Sequence, residues 1–218
     1  MLRAIFLALT LVCLTPAGAV ALAAAPGEAP PGPTLRALKI TGAKIIPAKK
    51  IKEELSIPLP SPLPWKNRPV FRQEELEADV VRLQRFYRRQ GFYHTVIDAR
   101  VAQTEDGRVN VTLNITEGPW VKVTRLEVSP ALAAPPPDLA ELQKKSPLKV
   151  GERFDEGNYD ALKRLYLNYL LDHGFPKAKV EGRVRLDEDK DTAEIEITLN
   201  PGPLCYFGAV SIKGKTPT

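Results

Sequence analysis

The sequence predicts an α+β fold made of a repeated β-α-α-β-β module, with a three-stranded mixed sheet and two helices on one face of it. Three observations support this prediction. The segment that begins at Phe71 resembles the segment that begins at Phe154, 83 positions later. Each copy has apolar residues at helical spacing, and each then has two stretches in which apolar and polar residues alternate. Self-similarity at a fixed period indicates tandem structural units.

Residues 1–25 have the features of a cleavable secretory signal peptide. Met1-Leu2-Arg3 is positively charged, residues 4–14 are apolar, and Ala21-Leu22-Ala23 offers a small-residue cleavage site. The alternative is a membrane anchor, but the apolar core is only about half of the ~20 residues that cross a bilayer. Residues 26–34 follow as a Pro/Gly-rich lead-in. We therefore expect an exported chain that folds from about residue 35 onwards.

Each module is predicted to start with a strand and a short helix. The predicted first strands are residues 35–41 and 121–129, and the predicted first helices are residues 47–55 and 138–144. Residues 58–69 (PLPSPLPWKNRP) lengthen the connection between the two helices of the first module. The detailed alignment of the two copies is therefore weakest in that connection.

A longer helix is predicted next in each module. Apolar residues recur at helical spacing in both copies: Leu76, Val80, Leu83 and Tyr87 in the first, and Tyr159, Leu162, Tyr166 and Leu170 in the second. Gly91 and Gly174 end the two runs, as glycine commonly does after a last helical turn. We expect each helix to pack its apolar side against the sheet.

Each module is predicted to end in a β-hairpin. One strand of each hairpin alternates strictly: Val109, Val111, Leu113 and Ile115 in the first copy, and Ala193, Ile195, Ile197 and Leu199 in the second. The strands before them are residues 95–103 and 177–186, with turns at Asp106-Gly107 and at residues 187–191. The second copy has one extra residue at this turn, which is where an insertion is tolerated best.

Residues 204–218 repeat the register of the first strand, since Leu38, Leu126 and Val210 align. We therefore divide the chain into a signal peptide (1–25), a lead-in (26–34), a first module (35–119), a second module (120–203) and the first strand of an incomplete third (204–218). A lone strand cannot bury its apolar face. We expect the sequence to be the N-terminal part of a longer protein.

Composition and motifs exclude several functions. With 44% hydrophobic and 26% charged residues the chain should fold, and its net charge of +5 is spread among acidic residues, which argues against nucleic-acid binding. No G-x-S-x-G or H-E-x-x-H motif and no metal-ligand spacing occurs, so we expect no catalytic, cofactor-binding or metal site and no enzyme activity. Cys205 is the one cysteine outside the signal peptide, and we expect it to be buried in a strand.

Two segments only approximate known ligand-binding motifs. Five residues separate Gly208 from Gly214, whereas a phosphate-binding P-loop has four between its glycines. The three aspartates at 187, 189 and 191 are spaced as in a calcium loop, but Thr192 stands where that loop needs glycine. We interpret the first segment as a strand and the second as a solvated hairpin tip.

The modules resemble POTRA domains, the periplasmic arms of outer-membrane assembly proteins. The resemblance rests on export, on Tyr or Phe in the last helical turn, on the following Gly-aromatic pair, and on Gly-Pro before the next strand. Within this group, FDEGNYDALKRLYLNYLLDHGFPKAKV and GPLCYFGAVSIKG resemble TamA more than BamA. The resemblance implies a scaffold that guides unfolded β-barrel or autotransporter polypeptides, with other assembly proteins, to a C-terminal membrane barrel that this sequence does not contain.

Two surfaces are candidates for binding. We predict that the second strand of each module is a free edge that binds clients by β-augmentation. The candidate residues are Thr95, Ile97, Ala99, Val101, Lys177, Lys179, Glu181 and Arg183. Charges on these strands could instead block pairing. Arg82, Arg85 and Arg89 form a basic stripe that could meet lipid headgroups, although such stripes are usually solvated.

Three functional classes fit such modules: an assembly scaffold, the POTRA arm of a two-partner secretion transporter, and a single-module division protein of the FtsQ type. The repeat disfavours the division protein, because that class has one module and keeps its apolar segment as an anchor. A secretion transporter usually has a plug helix before its modules, which the Pro-rich lead-in does not resemble. A soluble periplasmic POTRA binding protein is a further alternative.

Overall fold

The predicted β-α-α-β-β order occurs twice in the structure, a computed structural model that describes residues 32–60, 69–130, 139–206, 208, 209 and 214. The first module comprises β1 (Leu35–Thr41), α1 (Ala48–Glu53), α2 (Gln73–Arg89), β2 (Val96–Gln103) and β3 (Val109–Thr116). The second comprises β4 (Lys122–Pro130), α3 (Leu139–Lys144), α4 (Glu156–Asp172), β5 (Lys179–Asp187) and β6 (Thr192–Asn200). The α+β fold class is confirmed.

Each module has one mixed sheet of three strands. The strand order is β1-β3-β2 in the first sheet and β4-β6-β5 in the second. The last strand of each module lies at the centre, parallel to the first strand and antiparallel to the second. The second strand of each module is therefore an edge strand.

The first core lies between the sheet and α2. Side chains of β3 alternate as predicted, with Val109, Val111, Leu113 and Ile115 buried. Leu76, Leu83 and Tyr87 of α2 are buried against them, in one cluster with Ile51 of α1. Full burial of one such aliphatic side chain contributes roughly 1.5–3 kcal/mol. The apolar residues of the helices and those of the strand thus pack together in one layer.

The second core repeats this arrangement. Ala193, Ile195, Ile197 and Leu199 of β6 are buried, together with Leu162, Tyr166 and Leu170 of α4. Asp155 caps α4, because its side chain accepts a hydrogen bond from the amide of Asn158 at 2.9 Å. Gly174 follows this helix with a φ of +86°, in the left-handed region that favours glycine.

Two buried carboxylates distinguish the first module. Asp79 of α2 is fully buried, and its carboxylate accepts hydrogen bonds from the amides of Ser56 and Ile57 at 2.9 Å. Glu117, just after β3, accepts from the amides of residues 44–46 at 2.9–3.0 Å. Backbone N–H groups outside regular structure are satisfied in this way. Each carboxylate therefore holds one of the loops that flank α1.

Several predictions lie wholly or partly outside the described residues. These are the signal peptide, residues 26–31 of the lead-in, residues 61–68 of the long helix connection, and most of the predicted strand at 204–218. The module boundaries at 119 and 203 stay predictions. Helix α1 is shorter than predicted, because it covers only 48–53, whereas α3 covers 139–144, all of its predicted range that is described.

Candidate functional site

The two candidate strands lie at sheet edges, as the prediction requires. Among the described strands, β2 pairs only with β3, and β5 pairs only with β6. On the outer side of such a strand, alternate N–H and C=O groups are free to pair with an added strand. The topology therefore leaves main-chain hydrogen-bonding groups available along both candidate segments.

The predicted residues of the first edge have different surroundings. Thr95 precedes β2, and its hydroxyl donates to the carbonyl of Glu117 at 2.9 Å. Ile97 is buried, and Ala99 packs against the first core. Val101, nearer the end of β2, is exposed. The structure thus places Thr95 in the segment just before β2 and directs Ile97 and Ala99 towards the helices.

The predicted residues of the second edge share one face of the sheet. Lys179, Glu181 and Arg183 are exposed on β5, and Arg185 continues the row. Their register partners on β6 include the exposed Glu194 and Glu196, so the row faces away from the helices. Lys177 lies before β5 begins. We refer to this side of the second sheet as the open face.

The open face carries charges of both signs. Arg183 is opposite Glu196, and Arg185 is opposite Glu194, in the ladder between β5 and β6. On β4, Arg125 pairs with Glu127 at 2.7 Å. Within the part of the chain that the structure describes, neither Arg183 nor Arg185 makes an ion pair. These two guanidinium groups lie on the outermost strand and can accept a carboxylate from outside.

The other face of β5 borders an apolar groove of about 240 Å³. Val184 and Leu186 form its floor, and Phe154 and Tyr159 contribute aromatic walls. Tyr159 lies over Gly182, where a Cβ atom would collide with the phenol ring. Glycine at this strand position therefore allows the tyrosine to lie directly on the edge strand. We refer to this site as the β5 groove.

Tyr93, from the first module, completes the β5 groove. It is partly buried and packs against the core of the second module. Burial raises the pKa of its hydroxyl, and the charges of Glu156 and Glu188 raise it further. The hydroxyl therefore stays protonated at neutral pH. With Tyr93 in its lining, the β5 groove has residues from both modules.

The junction that positions Tyr93 has several contacts. The carbonyl of Gly91 accepts a hydrogen bond from the amide of Val121 at 2.8 Å. The guanidinium of Arg153 lies 5.1 Å from the centre of the Phe92 ring, within the range of a cation–π contact. His94 Nε2 lies 3.0 Å from the carbonyl oxygen of Glu188, at the tip of the second hairpin. Residues 91–94 are therefore held by the second module on both sides of Tyr93.

The predicted basic stripe is engaged with acidic groups of its own module. Arg82 forms an ion pair with Asp79. Arg89 lies 3.5 Å from the carboxylate of Glu54. Arg85 is exposed on the same helix. All three arginines lie on α2, and their contact with lipid stays a prediction.

Other expected features have these outcomes. The expectation that Cys205 is buried is wrong: the thiol is exposed. Its counterpart Val121 is buried because it belongs to the second core, whereas Cys205 belongs to neither core cluster of the described residues. Within the described ranges no group of three or more metal-binding side chains occurs, and no helix there is long and apolar enough to cross a bilayer.

Sequence reasoning missed the β5 groove and the buried carboxylates. Tyr93 aligns with Pro176 in the second copy, so the repeat pattern gave it no role. Asp79 aligns with Leu162, and a charge where the other copy has a core leucine is the signal that could have revealed it. Both features occur in only one of the two copies. A search for the pattern that the copies share therefore does not reveal them.

Comparison with known proteins relates the chain to one family. The POTRA model, described as surface antigen variable number repeat, matches residues 33–118 and 138–202, which is more than half of the chain. Outer membrane protein assembly factor BamA of Neisseria meningitidis serogroup B is 25% identical over 191 residues. The match covers 84% of this chain and 23% of that protein. This chain therefore spans less than a quarter of the length of that relative.

Solved structures with similar chains include BamA, Omp85 and CdiB proteins. The crystal structure of Haemophilus influenzae BamA POTRA3-5 is 21% identical, with a TM-score of 0.43 and coverage of 82% of this chain and 71% of that one. POTRA1-3 of Omp85 from Anabaena is 14% identical, with a TM-score of 0.35 and coverage of 77% and 65%. CdiB from Escherichia coli is 13% identical, with a TM-score of 0.34 and coverage of 85% and 29%. The closer resemblance to TamA stays a prediction from sequence motifs.

Proposed function

Because this chain belongs to the POTRA family, we propose that it is a periplasmic polypeptide-binding scaffold of an outer-membrane protein assembly factor. In this proposal an unfolded β-barrel or autotransporter segment adds to the edge of a module as an extra strand. The scaffold then passes the segment, with other assembly proteins, to a membrane barrel of the same protein. No chemical step on the client is required.

The observation that carries the proposal is the edge position of β2 and β5. An extended polypeptide can satisfy its own N–H and C=O groups on such an edge whatever its side chains are, which suits a scaffold with many clients. Charged side chains can oppose this pairing, and β5 carries several. These charges lie on the open face, however, and the outer backbone groups point along the sheet plane.

Of the two edges, β5 has the better binding surface. The face of β5 towards the helices borders the apolar β5 groove, in which client side chains can lie. At the far end of β2, a surface depression is lined by polar and charged residues such as Gln103, Glu105 and Asp106. Burial of client side chains in the β5 groove would add to main-chain pairing there. We therefore place the principal client site on β5.

A peptide titration followed by nuclear magnetic resonance tests the proposal. Residues 32–218 are titrated with a segment from an outer-membrane barrel strand while backbone amide shifts are recorded. We expect the largest shifts in β5 and its neighbour β6, and smaller shifts in β2. A peptide with the same side chains but with alternate backbone nitrogens methylated is the control, because methylation removes the N–H donors on one edge. Equal binding by both peptides would contradict β-augmentation.

Two related functions share this edge-binding step and differ in their setting. One is the POTRA arm of a two-partner secretion transporter, and the other is a soluble periplasmic POTRA binding protein. Expression from the whole gene, followed by cell fractionation, separates them. Recovery in the outer membrane supports an assembly or secretion arm, and recovery in the soluble periplasmic fraction supports the binding protein. Processing at residues 21–25 would support export by the signal peptide.

A further inference from the structure

The two faces of β5 have opposite chemical character. Val180 and Val184 contact the second core, and Leu186 lies in the β5 groove. Lys179, Glu181, Arg183 and Arg185 are exposed on the open face. A strand that pairs with β5 continues the sheet, so its side chains also alternate between these two faces. The edge therefore presents a different environment to odd and even residues of a bound strand.

On the groove side, the environment is apolar with acidic groups at its rim. Phe154, Tyr159 and Leu186 provide the apolar surface, and two carboxylates line the groove beside them: Glu156, and Asp160 in its ion pair with Lys163 at 2.9 Å. Desolvation of an acidic client side chain next to these carboxylates is unfavourable, and like charges raise the cost further. Aromatic and aliphatic side chains fit this side, and acidic side chains are rejected by it.

On the open face, the edge strand has two guanidinium groups, which lie opposite Glu196 and Glu194 of β6. Arg183 and Arg185 make no ion pair among the described residues. A side chain directly across an antiparallel or parallel ladder comes within about 5 Å at its Cβ atom. A carboxylate on the added strand can therefore reach a guanidinium group, which binds carboxylates through paired N–H donors.

We infer that the β5 edge selects an extended segment in which aromatic or aliphatic residues alternate with acidic residues. This inference rests on the proposed function, and it defines the class of client that β5 prefers. A shift of the client by one residue would place carboxylates in the apolar groove beside Glu156, and apolar side chains beside the arginines. The two faces thus fix the register of the client as well as its composition.

Because Tyr93 lines the β5 groove, selection of the client depends on both modules. This residue belongs to the first module, where residues 91–94 are held by contacts with the second. The second module without Tyr93 would have a groove open on one side. Tyr93 is therefore a specificity-determining residue, which acts by contact with the apolar side chains of the client.

Three peptides of nine residues, the length of β5, test the inference on residues 32–218. The first alternates Phe or Val with Glu, and the second has Lys in place of each Glu. The third has the composition of the first, with its apolar residues in one block and its acidic residues in another. Affinity is measured by fluorescence anisotropy at low salt, and nuclear magnetic resonance shifts in β5 show whether the peptide binds there. We expect the first peptide to bind roughly tenfold more tightly than the second.

Matched variants separate the two faces. Arg183→Gln with Arg185→Gln should weaken binding of the acidic peptide roughly three- to tenfold and leave the lysine peptide unchanged or slightly tighter. Arg125→Gln is the control, because Arg125 lies on the same open face but on the opposite edge strand, where it pairs with Glu127. Tyr93→Ala should weaken both alternating peptides, and Tyr93→Phe should restore binding. Thermal unfolding of each variant checks that the modules stay folded.

The outcomes distinguish the inference from the function on which it rests. Preference for the acidic alternating peptide, lost in the double arginine variant and kept in Arg125→Gln, supports the inference. Equal binding of the acidic and lysine peptides at β5 would overturn the inference and leave β-augmentation intact. Equal binding of the alternating and block peptides would overturn alternation as the basis of selection. No binding of any peptide at β5 would overturn the proposed function itself at this edge.

Discussion

The carbonyl oxygen of Gly91 accepts a hydrogen bond from the amide of Val121 at 2.8 Å. Gly91, two residues after the end of α2, thus holds Val121, the residue before β4. The same bond recurs in the next repeat, where the carbonyl of Gly174 accepts from the amide of Cys205 at 2.8 Å. Gly91 has a φ of +84°, and a Cβ atom there would collide with the carbonyl oxygen of Phe154. Glycine is therefore needed at Gly91 for backbone conformation and for close packing between the modules.

Gly91→Ala should destabilise the chain more than Gly107→Ala. Gly107 also has a positive φ, of +73°, but among the described residues no atom lies within 4 Å of a Cβ placed there. The left-handed conformation alone costs an alanine roughly 1–2 kcal/mol, and at Gly91 the collision adds to that cost. Urea unfolding of both variants measures the difference. Equal losses of unfolding free energy would show that the contact with Phe154 is of no consequence.

Glu117→Gln should lower the free energy of unfolding by about 1–3 kcal/mol at neutral pH, because the amide of glutamine brings N–H groups towards backbone donors. Burial alone would raise the pKa of Glu117, but hydrogen bonds from Ile46, Ile45 and Lys44 hold it below its usual 4.5. The carboxylate therefore stabilises the fold above pH 4.5, and this contribution is lost as pH falls through the lower folded pKa.

The measurement for Glu117 is urea unfolding of the native chain and the variant between neutral and acidic pH. The difference in unfolding free energy should shrink as the pH falls below 4.5. Glu127→Gln is the matched control, since Glu127 lies on the open face and its ion-pair partner among the described residues is the exposed Arg125. That variant should change stability by less than about 0.5 kcal/mol. A difference for Glu117→Gln that stays constant with pH would contradict the assignment.

Asp79→Leu should destabilise the first module although leucine occupies the equivalent position of the second. The amides of Ser56 and Ile57 would lose their acceptor, at a cost of about 1–3 kcal/mol for a buried donor without a partner. Hydrogen exchange at these two amides is the direct measurement. We expect the substitution to speed exchange at these amides more than at the amides of α4. Asp79→Asn retains one oxygen acceptor and should have a smaller effect. Unchanged exchange in Asp79→Leu would mean that the loop has other support.

If the basic stripe contacts lipid, Arg85 should contribute most. Arg82 and Arg89 already interact with Asp79 and Glu54 in the same module, whereas Arg85 is exposed. An exposed cation near an anionic surface contributes about 1 kcal/mol, so Arg85→Gln should reduce binding to anionic vesicles roughly fivefold. Cosedimentation with vesicles of phosphatidylglycerol measures this. Equal binding by the native chain and a triple Arg→Gln variant would remove the lipid proposal.

The elements were predictable because each has a local signal that the repeat confirms. The alternation of β3 and β6 places their apolar side chains in the cores, and helical spacing places Leu83 and Leu162 there. The second strand as an edge was also predictable, since a module with helices on one face leaves two strands at the sides of its sheet. These features depend on residues that both copies share.

The β5 groove was not predictable in the same way. The groove forms because Tyr93 lies close to β5 in space, although the two are more than one repeat apart in sequence. Nothing in the local sequence pattern of Tyr93 indicates contact with the second core. The partners of Glu117 were hidden for a similar reason: they lie 71–73 residues away in a loop. Long-range contacts of single residues leave no periodic trace.

The second hairpin is one residue longer than the first, and its tip contacts the preceding module. His94 lies 3.3 Å from the carboxylate of Asp191, whose φ of +51° belongs to the turn between β5 and β6. Repeats of this kind are therefore not freely exchangeable parts, because each carries in its hairpin the connector for the repeat before it. When such arrays evolve by duplication or shuffling, a copied module has to bring a tip of matching length. Gain or loss of a single residue there would alter the contact between His94 and Asp191.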